Sequence, residues 1–352
     1  MEAVLTVSLL HVADRAGTSV ATVSRVLSGS AHRVAPGTRA RVMKAAEELG
    51  YRPNAIARAL AKKMTPTIGV IVGDITDLYF AEISRGVEDT AISHGYLTVI
   101  CNAGRNPAVE IAYYNVLQEH YVAGILFAGG AYPEAPETMR LEELLVAAAV
   151  RGSKVIVLAD RGIESVPMIT VDNRAVLYDM TRHLIRLGHT RIAFVQGPES
   201  LSTSRRRLEG FRQAMAEAGL DASFVLPGGF GIESGRLAAT LMLARSLPDA
   251  VVAATDDTAI GLMMTLRQAG VDVPRDISVA GVDDSPYSQL MDLTTVQLPT
   301  YELGALAARH VLELSDSPMP MRTILSHRVV VRGSTIWARR FRQGGEARDR
   351  TG

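Results

Sequence analysis

Aspartates in this sequence gather at one kind of place, directly after short apolar runs. Asp74 follows TIGVIVG, Asp160 follows KVIVLA, Asp172 follows ITV, Asp256 follows AVVAAT and Asp283 follows SVAGV. Arg161, Asn173 and Asp284 stand next in line, and Tyr79 and Phe80 come soon after Asp74. Carboxylates accept hydrogen bonds, a guanidinium donates in a planar fork, and an aromatic ring offers a flat apolar face. That mixture suits the holding of a small polar molecule. It does not compose a catalytic set. Asp283-Asp284 has the residue types of an acid–base pair, but consecutive loop residues usually point apart. No Ser-His-Asp set and no metal-spaced histidines are legible, and GVIVGD and AGILFAGG lack the glycine spacing that cradles phosphates. Neither an enzyme nor a bound cofactor is expected. Taken singly, each aspartate reads as a helix N-cap or a turn residue. Only convergence on one cleft makes them a site. His183 and His189 flank a helix end and read as surface or C-cap residues, and the sole Trp337 reads as packing.

The elements that must position these residues alternate in type. From Thr65 onward, apolar β-rich runs (TIGVIVGDI, YLTVICNA, VAGILFAGG, KVIVLAD) are separated by helical patterns (AEISRGVEDTAISHG, EIAYYNVLQEHY, LEELLVAAAVRG). A second series begins after ITVDN, with RIAFVQG, FVLPG, AVVAAT and SVAGVDD as its strands. Strand–helix alternation implies parallel sheets. The two series predict two doubly wound halves with a cleft between them, and ligands in such sheets bind at the carboxyl ends of strands.

The N-terminal segment has another pattern. Leu9, Val12, Ala13 and Ala16 recur at helical spacing, Gly17 breaks the helix, and Thr18-Ser19 offers a cap for a second one. That helix would turn Val20, Val23, Val26 and Leu27 inward and Ala21, Thr22, Ser24, Arg25 and Ser28 outward. A third helix follows in PGTRARVMKAAEELG, then a short piece, YRPNAIARALAKK. Two helices joined by a tight glycine turn predict a helix-turn-helix. Charge supports this. The chain is formally neutral, but residues 1–63 hold ten Lys/Arg against four Asp/Glu, a net +6, which leaves the remainder at −6. A basic module on a mildly acidic body points to a polyanion partner for that module alone. One cysteine, Cys101, excludes a disulfide framework. With no membrane-length apolar run and no Lys/Arg-led signal peptide, a cytoplasmic protein is expected, without membrane partners.

SVATVSRVLSGS, RVMKAAEELGYRPNAIARAL and TPTIGVIVGDI resemble the LacI/GalR family of bacterial repressors. The resemblance runs to about Ser334. It implies an all-α helix-turn-helix head plus an α/β periplasmic-binding-protein-like body of two parallel-sheet subdomains. The implied boundaries are 1–52 for the head, 53–65 for a hinge helix and linker, and 66–337 for an effector-binding and dimerisation domain. Crossovers are expected near 161–170, 292–300 and 325, and residues 338–352 read as a disordered tail. A periplasmic sugar-binding protein would share the body but not the basic head.

By that resemblance, Ser19, Val20 and Ala21 open the groove-reading helix. Thr22, Ser24 and Arg25 make adjacent base and phosphate contacts. Asn54, Ala57 and Leu60 lie on the hinge helix, with Leu60 as a wedge between base steps. The position of an acidic residue usual near the first helix start is taken by His11, after Ser8, so a weakened cap is expected. In the body, Arg207 (in RLEGF), Asp160, Asp283 and Phe230 match effector contacts. Asp74, Tyr79, Phe80, Thr255 and Asp256 complete the expected set. Thr255-Asp256 replaces a common Asn-Asp, Leu298 a common glutamine, Val282 an aromatic, and Asp77-Leu78 an Asn-Pro. Loss of two amides implies a pocket with less hydrogen-bonding capacity. The implied partners are a near-palindromic double-stranded operator, a small-molecule effector (a sugar, a sugar derivative or a similar metabolite or, alternatively, a purine or other non-sugar ligand acting as corepressor) and a second copy of the chain, with a tetramer left open.

Overall fold

The computed structural model describes residues 7–27, 34–51, 64–314 and 318–338. The chain divides into two compact units, Met1–Thr65 and Pro66–Gly352.

The head consists of α1 (Leu9–Ala16), α2 (Val20–Leu27) and α3 (Pro36–Glu48). Gly17 ends α1 with φ 62°, a conformation that glycine adopts without steric cost. The Thr18 amide then donates to the Ala13 carbonyl at 3.1 Å, and the chain turns into α2. Ser19 caps α2, its Oγ accepting the Thr22 amide at 3.2 Å. Val12, Ala13, Ala16, Val23, Val26, Val42, Ala45 and Ala46 form one buried cluster. Small side chains let three short helices approach closely. Two features differ from expectation. Val20 is 40% exposed, because it stands at the first turn of α2, beyond the stripe that Val23 and Val26 bury. The start of α1 is not weakly capped: the Ser8 amide donates to His11 Nδ1 at 3.1 Å, so the imidazole does what a carboxylate does in a capping box.

The first lobe of the body threads β1 (Thr65–Val72), α4 (Leu78–Ile92), β2 (Leu97–Asn102), α5 (Pro107–Glu119), β3 (Val122–Ala128), α6 (Pro136–Val150), β4 (Val155–Val157) and β5 (Met168–Val171). The second holds α7 (Asn173–Arg186), β6 (Ile192–Val195), α8 (Ser202–Glu217), β7 (Val225–Leu226), α9 (Ile232–Leu243), β8 (Ala250–Ala253), α10 (Asp256–Gln268) and β9 (Ser278–Ala280). After α11 (Pro286–Leu290) and β10 (Thr295–Gln297), the chain returns to the first lobe as α12 (Thr300–Val311) and β11 (Arg322–Leu325). It leaves through β12 (Arg328–Val330). The first sheet has the order β11-β5-β4-β3-β1-β2 and the second β7-β6-β8-β9. In the first, Thr67 pairs with Leu97 in parallel register; in the second, Ile192 pairs with Ala250. β10 and β12 form a small antiparallel pair.

The chain therefore changes lobe after Val171, again between β9 and α12, and a third time after Leu325. The strand-alternation pattern passes over α12 and the three short strands around it. α12 packs on α4 through glycines. A Cβ on Gly304 would lie 2.0 Å from the Ile83 carbonyl oxygen, and one on Gly86 would lie 2.1 Å from that of Tyr301. The core is mostly aliphatic, with Phe194 stacked on Phe211 at 5.4 Å. β2 is an edge strand, and its Leu97, Val99 and Ile100 are exposed.

Candidate functional site

Strand ends from both lobes meet in one cleft. Gly73 follows β1, Arg105 follows β2, Gly129, Gly130 and Tyr132 follow β3, and Ala159 follows β4. Asn173 follows β5, Thr255 follows β8 and Asp283 follows β9; all line the cleft. Asp77, Tyr79 and Phe80 at the start of α4, Leu201 just before α8, Thr203 and Arg207 of α8, and Phe230 complete the wall. Parallel strands place their carboxyl ends, and the loops after them, on the same edge, so one edge of each sheet faces the other. The cleft has a volume of about 50 Å³, room for a few waters.

Arg207 is buried. Its Nε donates to Asn173 Oδ1 at 2.9 Å, and its Nη1 donates to the Ala254 carbonyl. The guanidinium is fixed in place with donors still unused. Asp283 carries φ 124°, outside the ordinary range for a side-chain-bearing residue. Burial pushes its carboxyl well above the usual carboxylate range; Arg207 opposes the rise, while Asp256, Asp77 and Asp257 add to it. Burial also raises the Tyr79 and Tyr132 phenols to about 12. These are neutral hydroxyls at any ordinary pH, donors and acceptors at once. Thr255 Oγ1 donates to the Phe230 carbonyl at 2.8 Å and caps α10, so its hydroxyl is already engaged.

Three expected contacts lie elsewhere. Asp256 is 1% exposed and does not face the cleft. It accepts the Ser285 amide at 2.7 Å and the Thr295 hydroxyl at 2.5 Å, which pins the β9–α11 loop and the start of β10 to α10. Burial raises its carboxyl to about 6. Asp160 faces a separate groove, 3.8 Å from Arg206, and accepts the Gly162 amide. Its neighbour Arg161 turns inward to a buried ion pair with Glu110 at 2.7 Å, so Asp160 turns out. Asp74 sits behind the wall, bonded to Thr76 and Arg105; the Thr76 hydroxyl is the main cause of its lowered carboxyl pKa. Leu298 and Val282 are buried outside the lining, so neither bears on the polarity of the cleft. Asp284, next to Asp283, points away to Arg332 at 2.5 Å. His189 is buried rather than superficial, its Nε2 2.9 Å from the Ile336 carbonyl, and Trp337 is 57% exposed.

Asn173, next to the strand-ending Asp172, lines the cleft as its position in the sequence suggests, while Arg105, Tyr132 and Thr203 line it without standing among the residues the sequence points to. The rule that ligands sit at strand ends, extended to β2 and β3, reaches Arg105 and Tyr132. Asn173 stands beside Asp172, which caps α7. Thr203 had no signal of its own.

In the head, α2 presents Val20, Ala21, Ser24 and Arg25 at the surface, while Val23 and Val26 are buried. Ser19 and Thr22 hydroxyls stand 2.9 Å apart. This is a short helix with one small, largely apolar polar-edged face, held by a core on the other. Part of the basic charge is used internally: Arg15 pairs with Glu48 at 2.8 Å, and Arg41 Nε donates to the Ala16 carbonyl. Ser28 and the hinge positions Asn54, Ala57 and Leu60 lie outside the described residues. Among the described residues, no group of His, Cys, Asp or Glu is placed to hold a metal ion, and no helix is long and apolar enough to cross a membrane.

Comparison with known proteins bears on both units. Residues 8–54 match the family described as bacterial regulatory proteins, lacI family, and residues 65–330 match periplasmic binding proteins and sugar binding domain of LacI family. Catabolite control protein A of Priestia megaterium is 34% identical over 94% of this chain and 100% of its own. The HTH-type transcriptional regulator DegA of Bacillus subtilis (strain 168) is 34% identical over 85% of this chain and 88% of its own. Among solved structures, the lac repressor dimer bound to operator and the anti-inducer ONPF superposes with a TM-score of 0.80. It has 27% identity and covers 94% of this chain and 99% of that one.

Proposed function

This chain belongs to the LacI family of bacterial DNA-binding transcriptional regulators and is not an enzyme, and on that premise we propose that it is a repressor whose hold on a near-palindromic operator is set by a small molecule in the interlobe cleft. The observation that carries this is the cleft itself. The buried Arg207 and the half-buried Asp283, with two neutral tyrosines and two phenylalanines, face one another from two lobes joined by three crossovers. Hydrogen-bonding groups aimed into a cleft between two hinged bodies give a ligand differential affinity for the closed arrangement. A guest held by groups of both lobes couples its binding to their arrangement.

A homodimer is the natural form. The edge strand β2 exposes Leu97, Val99 and Ile100, and α4 exposes Ile92 near by in sequence. Unpaired strand edges with apolar side chains favour a second copy. Two copies would present two heads to two half-sites, and joining them raises the effective concentration of each. At Val20 and Ala21, base recognition would be by apolar contact, for instance with thymine methyls.

The experiment is a thermal-shift screen of the full chain against sugars, sugar acids, amines and nucleobases. A binder raises the midpoint by mass action. Any compound that does so in the wild type is expected to lose its shift in Arg207→Ala. A compound that shifts both equally binds outside the cleft and contradicts the reading.

A further inference from the structure

Arg105 stands on the first lobe, and its guanidinium reaches a ring of the second. Its central carbon lies 5.9 Å from the centre of the Phe80 ring and 5.3 Å from that of Phe230. Nη1 donates to Asp74 at 3.2 Å and Nη2 to Asp77 at 2.8 Å. Both rings rest against glycines. A Cβ on Gly73 would come within 2.9 Å of Phe80, and one on Gly197 within 2.1 Å of Phe230. The rings are thus seated where no larger residue fits beneath them. The Arg105 backbone is held at φ 56°, a left-handed conformation that L side chains adopt at a cost, with its amide donating to the Gly73 carbonyl at 2.7 Å. Two aromatic faces and two carboxylates are the chemistry of a site for an organic cation. Here the chain's own guanidinium fills it.

We propose that this is a cation seat within the cleft, filled by Arg105 when the lobes are drawn together, and that the effector carries an ammonium or guanidinium group that displaces Arg105 from it. The inference rests on the cleft being the effector site. Charge favours an exchange of cation for cation. Asp77 lines the cleft and Asp74 stands beside it, and Arg105 pairs with both. An anionic guest that pushed Arg105 aside would leave Asp74 and Asp77 together without a counter-charge. A cationic guest keeps both paired. The Arg105 side chain is 26% exposed, so it has a way out to water.

The test is chemical rescue with methylguanidinium chloride in the full chain, at ionic strength held constant with sodium chloride. In Arg105→Ala the seat is vacated. Its thermal midpoint is expected to rise by about 3 °C at ten times the dissociation constant of methylguanidinium. Wild type, with its seat filled, is expected to show no rise at the same concentration. Adding Phe230→Leu is expected to weaken the rescue by about tenfold, the loss of one cation–π wall. Arg105→Gly removes the same side chain and suits the left-handed backbone, so it carries the test if the alanine variant does not fold. A folded Arg105→Ala or Arg105→Gly protein that methylguanidinium does not stabilise overturns the seat. Binding that leaves operator affinity unchanged keeps the seat and overturns the claim that its occupant is the effector.

Discussion

Asp256 shows how a residue's surroundings decide its chemistry. It follows a strand in the same way as Asp283, yet one turns toward α11 and the other toward the cleft. Burial raises the Asp256 carboxyl to about 6, above its unfolded value near 4. A carboxyl raised on folding stabilises the native state fully below the unfolded value and loses that contribution as pH rises through the folded one. The window therefore runs from about pH 4 to about pH 6, and the difference is worth roughly 3 kcal/mol. In Asp256→Asn the group no longer titrates. The variant is destabilised at low pH, where an amide replaces an acceptor of two hydrogen bonds, and the gap to wild type is expected to narrow toward pH 7. Thermal midpoints of both proteins at half-unit steps from pH 4 to 7 check this, and a gap that does not change with pH contradicts it. Asp256 and Asp283 were alike in sequence because strand ends announce position but not side-chain direction. The same holds for Asp160 and Arg161, where it is the arginine that turns inward.

At the scale of elements, the helix pairs are set by glycines. α12 and α4 meet where Gly304 and Gly86 let one backbone touch the other. Gly304→Ala would place a methyl 2.0 Å from the Ile83 carbonyl oxygen, which backbone cannot yield cheaply. Overpacking of this kind costs about 1–3 kcal/mol or more. A fall in thermal midpoint of several degrees is expected, read by circular dichroism, and an unchanged midpoint would mean that the two helices are free to separate. The strand–helix alternation of the body and the glycine-broken helices of the head were legible because period-2 and period-3.6 patterns are local. β10, β11 and β12 were not. Each is three or four residues long, and each pairs only with strands far away in sequence. α12 lies in a stretch where strand–helix alternation stops, because it serves the lobe the chain had already left. At the start of α1 a histidine nitrogen accepts a backbone hydrogen bond, the part that Glu or Gln plays in a capping box, so the residue type alone does not announce the cap.

For the molecule as a whole, the division of labour follows the division of charge. A +6 head and a −6 remainder are hard to reconcile with one undivided function. The described part of the head is a small aliphatic core that displays one face of α2, and the body is two lobes around a cleft. Most of the lining lies where parallel strands end, and Arg105 and Tyr132, after β2 and β3, obey the same rule although no aspartate marks those two ends in the sequence. Charge attracts any duplex, so attraction alone decides little. The decisive measurement is selection of duplexes from a random pool by the full chain, followed by titration at one moderate salt concentration. The account expects a near-palindromic sequence to emerge and to bind at least about a thousandfold more tightly than random competitor. Equal affinity for selected and random duplexes, with and without compounds that stabilise the cleft, would contradict it.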